Sequence, residues 1–498
     1  MSMMNRFRSS TKSGAATLLA IAITAGSVLA SCSPESLVGN APLPPDVPDP
    51  AQTHTPAGAV EAYHGALQLF RSAVGGDQNS MVPVSGLLTD ELSAAGEAQQ
   101  PGNQGQVFGV FSVDSRFLPE YGGAGDDSTT PAPVRTTYEL LQKARGQSHE
   151  SRGALIAYPP AGAADLEGHL AAIEAYSDVY LADLFCSGIP LSTLDFGKDF
   201  TYQPGSSTQQ VYQKAVALFD SALTLAVDSE RVMNLARVGK GRALLALGNY
   251  ADAAAAVASV PDGFQYALQF NQSPTPGTTN VFANRNFAYF DLNIQTNGIS
   301  MVDREGSNGL PFISSNDPRS AWVDEGTTFN GHVIGAAKYS VAGDSPLVIA
   351  SGVEARLIQA EASLKSGGGS WLTTLNTLRT DGTFNTQPDT LDSSKTDTLW
   401  HAGTGGVAGL RPLSDPGEAN AQVDLLFSER GFWLFLTGTR QGDLRRLIRQ
   451  YGRQANQVYP TGPYPGEFHI YGTDVNAPVE GAERISNPLY TGCAGRGA

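Results

Sequence analysis

Six ionisable residues, Glu429, Arg430, Arg440, Asp443, Arg445 and Arg446, fall within eighteen positions, a density that could move protons or grip an anion. The same stretch carries Phe427, Phe432, Trp433 and Leu434. Charges threaded through an apolar segment predict pairing with one another across a helix-turn-helix, a structural role. Other chemistry is harder to find. The seven histidines, at 54, 64, 149, 169, 332, 401 and 469, show no i, i+4 pair of the kind that holds zinc on a helix. Gly403 to Ala408 matches a loose dinucleotide pattern but follows no apolar strand and reads as a loop. No G-x-S-x-G elbow stands before a helix, and Gly239-Lys240 lacks the upstream glycine of a phosphate loop. Carboxylates are plentiful, yet sequence does not place two of them at the roughly 5 to 9 Å a glycosidase needs. The chain is expected to carry no enzyme activity, cofactor or metal.

Binding is better represented. Sugars stack their CH faces on aromatic rings and offer hydroxyls to amides, carboxylates and Arg. Phe282-Ala-Asn-Arg-Asn-Phe-Ala-Tyr-Phe290 and the isolated Trp322 supply both kinds of group in a polar stretch. Candidate ligand contacts are Trp322, Tyr289, Phe290, Arg285 and Asn286, with Trp400, next to His401, a weaker one; the alternative for each is packing inside an irregular region. Trp371 and Trp433 sit in helical stretches and read as core. Arg319, in Asp317-Pro-Arg319, reads as a fold-stabilising donor.

Helices must position these residues. Val211, Ala215, Leu218, Ala222 and Leu225 are spaced four, three, four, three, which predicts one face of a helix over Thr208 to Val227. Leu166, Leu170, Ile173, Tyr180 and Leu184 mark another. From Asn234 to Pro261 two helices are interrupted at Gly248-Asn249, and Gly241 and Ala253 are small enough for the backbones to approach, the packing of tetratricopeptide units. A similar unit runs from Gly352 to Lys365, turns at Gly367 to Gly369 and continues over Trp371 to Leu378. Helices are also predicted at Pro56 to Val74, Thr136 to Arg145, Ala421 to Leu436 and Gln441 to Tyr451. Two stretches, at about 265–347 and 381–416, lack a helical period and are read as loops with short helices or strands, where such arrays build binding surfaces.

The chain has 498 residues and a net charge of −16, which disfavours nucleic acid as a partner. Residues 1–31 have a basic start (Arg6, Arg8, Lys12), an apolar run from Ala15 to Ala30 and small residues before Cys32, the pattern of a secretory signal. Leu29-Ala-Ser-Cys32 resembles a bacterial lipobox, in which the cysteine is lipidated; an ordinary thiol beside a plain cleavage site is the alternative. Residues 32–56 hold seven prolines and read as an extended tether, ahead of a helical domain over 57–498. With Cys32 lipidated, Cys186 and Cys493 remain, and in an oxidising compartment a disulfide is the simplest outcome, against two unpaired thiols.

Four stretches together resemble the SusD/RagB family of lipid-anchored outer-membrane nutrient-binding proteins. They are Ser177 to Leu191, running into a G-x-P-L turn; the helical pair Leu235 to Val260; Ala355 to Arg379, similar to A-E-A-x-x-x-x-G…L-N-x-x-R; and Phe427 to Arg446, similar to E-R…E-x-x-x-x-G-x-R-x-x-D-L-R-R. The chain departs from the last pattern in one place, since the acid expected after Glu429-Arg430 falls within the apolar Phe432 to Leu436. The resemblance implies a mainly α fold, a SusD-like superhelix of tetratricopeptide-like helix pairs with long irregular insertions. It also implies oligosaccharide or peptide binding at the cell surface and partnership, as a lid, with a TonB-dependent (SusC-like) outer-membrane transporter. Without it, an acidic, tethered helical array reads as an envelope scaffold that binds another protein.

Overall fold

The computed structural model describes residues 54–77, 79–94, 107–118, 131–270, 299–304, 308–328, 331–339, 345–380, 384–388, 396–400, 410–464 and 470–498. Chain order begins with α1 (Pro56–Arg71), which continues into a π-helical turn at Ser72–Gly76, then α2 (Met81–Leu88), β1 (Leu92–Ala94) and α3 (Val107–Asp114). Two long helices follow, α4 (Ala132–Ala157) and α5 (Ala163–Leu184). The sequence predicts only Thr136 to Arg145 of α4. The helix runs on through Gly146 and Gly153 because it packs along both α1 and α5, and tertiary burial outweighs the glycine penalty of about 1 kcal/mol each.

Beyond α5 come the short strands β2 (Ile189–Pro190), β3 (Thr193–Leu194), β4 (Phe200–Thr201) and β5 (Gly205–Ser206). The helical array then resumes with α6 (Thr208–Leu225), α7 (Glu230–Ala246) and α8 (Tyr250–Ala256). Helix α6 starts where it does because Ser207 and Gln210 form a reciprocal capping box, Ser207 Oγ accepting from the Gln210 amide at 3.2 Å and Gln210 Oε1 accepting from the Ser207 amide at 2.8 Å. Gly248, at φ +80°, makes the turn from α7 into α8. Gly241 lets the two helices close: a Cβ there would stand 2.6 Å from Val257 Cγ1.

The first insertion is closed at its base by β6 (Gln265–Leu268), which pairs antiparallel with β10 (Leu347–Ser351). Between them lie β7 (Ile299–Met301), paired with β1, and the hairpin of β8 (Trp322–Thr328) and β9 (Gly331–Ala336). Then come α9 (Gly352–Lys365) and α10 (Ser370–Thr380), the pair β11 (Phe384–Pro388) and β12 (Thr396–Trp400), and α11 (Ala419–Trp433), α12 (Arg440–Tyr451), α13 (Ala455–Val458) and α14 (Gly481–Ser486). Neighbours in sequence pack together: α4 on α5, α5 on α6, α6 on α7, α7 on α8, α8 on α9, α9 on α10. The protein is mainly α, built of tetratricopeptide-like pairs with irregular insertions, and Pro56–Ala498 forms one compact unit.

The C-terminal tail is fastened to this array. Cys186, just past α5, is disulfide-bonded to Cys493, with Cα atoms 5.8 Å apart. The Ala494 amide donates to Ser187 O at 2.7 Å, Asn476 Nδ2 donates to the carbonyls of Arg496 and Gly497, and Arg496 pairs with Asp474 at 2.7 Å.

Candidate functional site

The six-charge cluster is a buried lattice. Arg430 makes a two-pronged pair with Asp443, at 2.8 and 2.9 Å, and Arg446 joins the same Asp443 at 2.8 Å and also meets Glu361 of α9. Burial alone would discourage ionisation of Asp443, but the two guanidiniums outweigh it and bring its carboxyl down to about 2. The lattice reaches further than pairing across one helix-turn-helix. Arg440 grips Asp90 from the end of α2 at 2.7 and 2.6 Å, Glu429 is taken by Arg319 and Arg379, and Arg445 spends one guanidinium nitrogen on the carbonyls of Ala182, Asp183 and Phe185. In the apolar turn after α11 the carboxylate comes from far away: Glu91 Oε1 accepts from the Leu436 amide at 2.7 Å. Burial lifts the Glu91 carboxyl to about 7, and desolvation lowers the half-buried Lys338, which donates to Phe435 O, to about 8. Buried and engaged with one another or with the backbone, these groups hold the fold.

One arm of the lattice positions a candidate ligand contact. Asp317 caps a single 3₁₀ turn, Pro318–Ser320, by accepting from the Arg319 amide at 2.9 Å. The Arg319 guanidinium then reaches Glu429 Oε2 at 2.7 Å and lies over the rings of Phe432 and Trp433 at 5.1 and 4.9 Å. Burial opposes the charge on Asp317, but its bonds from Arg319 keep the carboxyl below the ordinary value. Ser320 Oγ donates to Phe312 O at 2.7 Å, and the Ala337 amide donates to Ala321 O at 2.8 Å. Trp322 follows at once, opposite Ala336 at the stem of the β8–β9 hairpin. The residue is 37% exposed, a large apolar side chain at the surface beside a hydrogen-bonded base. Trp371 and Trp433, by contrast, are buried.

Of the other sequence candidates, Tyr289, Phe290, Arg285 and Asn286 lie outside the described residues, as does the Gly403 to Ala408 stretch. Trp400 ends β12 opposite Phe384, and its side chain lies outside them too. Sequence reasoning missed an exposed aromatic pair: Phe200 and Tyr202, on and just after β4, are 51% and 40% exposed with ring centroids 5.0 Å apart. Its only sequence signal is the alternation in Asp199-Phe-Thr-Tyr202. Among the described residues no group of three His, Cys, Asp or Glu could hold a metal ion.

No protein-family model and no curated protein matches the sequence. Solved structures do. The surface glycan-binding protein A from Bacteroides uniformis is 16% identical, with a TM-score of 0.59 over 88% of this chain and 100% of its own. Its namesake from Bacteroides thetaiotaomicron, in complex with laminarihexaose, is 12% identical, with a TM-score of 0.59 over 88% and 99%. A SusD-like carbohydrate-binding protein from Bacteroides vulgatus is 12% identical, with a TM-score of 0.55 over 88% and 97%. The helical pairs, the insertions between them and these likenesses agree: the chain has the SusD-like fold.

Proposed function

We propose that this protein is a member of the SusD/RagB family, a lipid-anchored cell-surface protein that binds neutral oligosaccharides and serves as lid and partner of a TonB-dependent, SusC-like outer-membrane transporter. The observation that carries the reading is Trp322, half exposed on a rigid stem, in a fold whose similar structures include surface glycan-binding proteins. A sugar ring laid on the indole face buries apolar CH groups, while polar groups of the same insertion take its hydroxyls. Net charge −16 disfavours polyanionic glycans. We read the protein as a binder without turnover, a reading supported by the charged cluster that looks most catalytic in sequence, whose Glu429 and Asp443 are paired with arginines. Acyl chains on Cys32 would hold the body at the membrane at about 0.8 kcal/mol per buried CH₂.

The purified chain on an array of neutral glycans and peptides tests the binding. Capture of at least one glycan is expected, and capture of peptides alone would replace the sugar reading with a peptide one. For the anchor, Cys32→Ala should leave the protein soluble or unprocessed; a variant that still fractionates with the outer membrane at high salt refutes it. For the partner, a β-barrel transporter should co-purify in mild detergent, and its absence from the wild-type eluate counts against the lid role.

A further inference from the structure

A second place in the molecule has the makings of a ligand site and shares no residue with the Trp322 stem. A cleft of about 770 Å³ opens between the turn from α7 into α8, at Gly248, Asn249, Tyr250, Asp252 and Ala254, and the end of α9 with the start of α10, from Gln359 to Ser370. Its size lies within the roughly 300–1,000 Å³ of small-molecule sites.

The wall of the cleft is built. Tyr250 donates from its hydroxyl to Gln450 Oε1 at 3.0 Å, and Gln450 Nε2 in turn donates to Leu245 O at 2.8 Å and Ala246 O at 3.0 Å. The Tyr250 ring is thereby held by a side chain that is itself held. Lys365 leans on the same wall: its ammonium donates to Gln450 O at 3.1 Å and sits 3.9 Å from the Tyr451 ring centroid, with two donors left to solvent. The rim is the reverse. Among the described residues, the side chains of Asn249, Asp252 and Gln359 make no hydrogen bond or ion pair, and Asn249 caps nothing although it stands at the N-cap of α8. Ser370 Oγ, paired with Ser363 Oγ at 2.8 Å, retains further hydroxyl capacity.

One fixed aromatic ring beside two free amides, a free carboxylate and hydroxyls is a set that recognises a neutral polyol. The exposed Lys365 ammonium and the free carboxylate of Asp252 balance one another at the cleft, which leaves no net positive charge to favour phosphate or carboxylate ligands. We infer that this cleft is a second saccharide site, taking a short neutral oligosaccharide between the turns of two helix pairs. The inference rests on the reading of the protein as a glycan binder and adds to it a site that takes short chains independently of the Trp322 stem.

The test uses the purified chain and a panel of neutral oligosaccharides of the gluco, manno, xylo and galacto series, two to six sugars long, alongside a separate set of short peptides, read by calorimetry and by hydrogen–deuterium exchange. Bound sugar should protect 248–254 and 359–370, and Asp252→Ala with Gln359→Ala should remove that protection and weaken the cleft's share of binding at least tenfold. Both side chains are unpartnered, so the double variant should melt with the wild type, and Trp322→Ala should leave the cleft's protection in place. A panel sugar that binds, depends on Trp322 and protects neither segment overturns the cleft while the glycan reading stands. Protection of the cleft by peptides only overturns it in favour of a peptide groove. A wild-type chain that binds no panel member overturns the cleft and the glycan reading together.

Discussion

At the α11–α12 corner, Asp443, Glu361, Glu429 and Asp90 are each met by a guanidinium inside the protein. At the cleft between the helix-pair turns, Asn249, Asp252 and Gln359 meet nothing. The same kinds of polar side chain serve opposite ends, and partnership tells them apart. A buried charge without a counter-charge is costly, so the corner must be complete in the folded state; an exposed amide can wait for a ligand at little cost because water satisfies it meanwhile. The most chemical-looking stretch of the sequence is therefore architecture, and the surfaces offered to a ligand are made of unremarkable residues.

Four perturbations sharpen that contrast, in descending size. Arg440→Ala leaves Asp90 buried with the Leu310 amide as its remaining protein partner, and should cost about 3–5 kcal/mol in denaturant unfolding. A loss below about 1 kcal/mol would mean that the corner does not depend on complete pairing. Next, Cys186→Ser with Cys493→Ser opens a loop spanning a separation of 307 residues and should cost about 2–5 kcal/mol, read as a lowered melting temperature; an unchanged one would assign the tail's fastening to Asn476 and Arg496. Trp322→Ala belongs to the other side of the comparison. It should weaken oligosaccharide binding by about 1–3 kcal/mol while stability stays within about 0.5 kcal/mol, and a large loss of stability instead would make Trp322 core.

The smallest effect is in pH. His149 Nε2 lies 2.9 Å from Asp195 of the β3–β4 hairpin and Nδ1 3.4 Å from Glu174, which Lys214 and Arg152 also approach. The neighbouring Glu174 carboxylate raises the histidine against the lowering effect of burial. A raised folded value means that its stabilisation is fully present below its ordinary value of about 6.5 and is lost as pH rises through the folded one. The stability difference between wild type and His149→Gln should therefore shrink from pH 6 to pH 8. Glu174 works from the acid side: held at about 2 despite burial, it stabilises above its ordinary value of about 4.5 and fails as pH falls toward 2. A difference that is flat between pH 6 and 8 would remove His149 from the hairpin's attachment.

Much of the array is legible in sequence because it is local. The spacing of Val211, Ala215 and Ala222 puts all three in the core, and the turns at Gly248 and at Gly367 to Gly369 fall where glycine marks them. Helix α2 is not legible, since Met81-Val-Pro-Val-Ser-Gly-Leu-Leu88 is buried all round and has no polar face to set a period. Nor are the partners of the charged motif. Nothing local ties Asp90 to Arg440, 350 residues on, or Glu429 to Arg319. For the site, Trp322 stands out as a lone large aromatic in a polar stretch. The cleft does not, because its two walls come from turns more than a hundred residues apart, and adjacency of that kind is a property of packing.

The long-range pairings set an order of events for a chain made from its N-terminus. Asp90 and Glu91 wait for Arg440 and the Leu436 amide, and Asp114 waits for Arg304 and then for the Tyr464 hydroxyl. Tyr138 finds Glu483 only near the end. The first quarter of the body thus carries acids whose counter-groups have not yet been synthesised. The helix pairs that pack on their sequence neighbours need not wait, but closure of the α2 end onto α12 should come only once the last sixty residues are present.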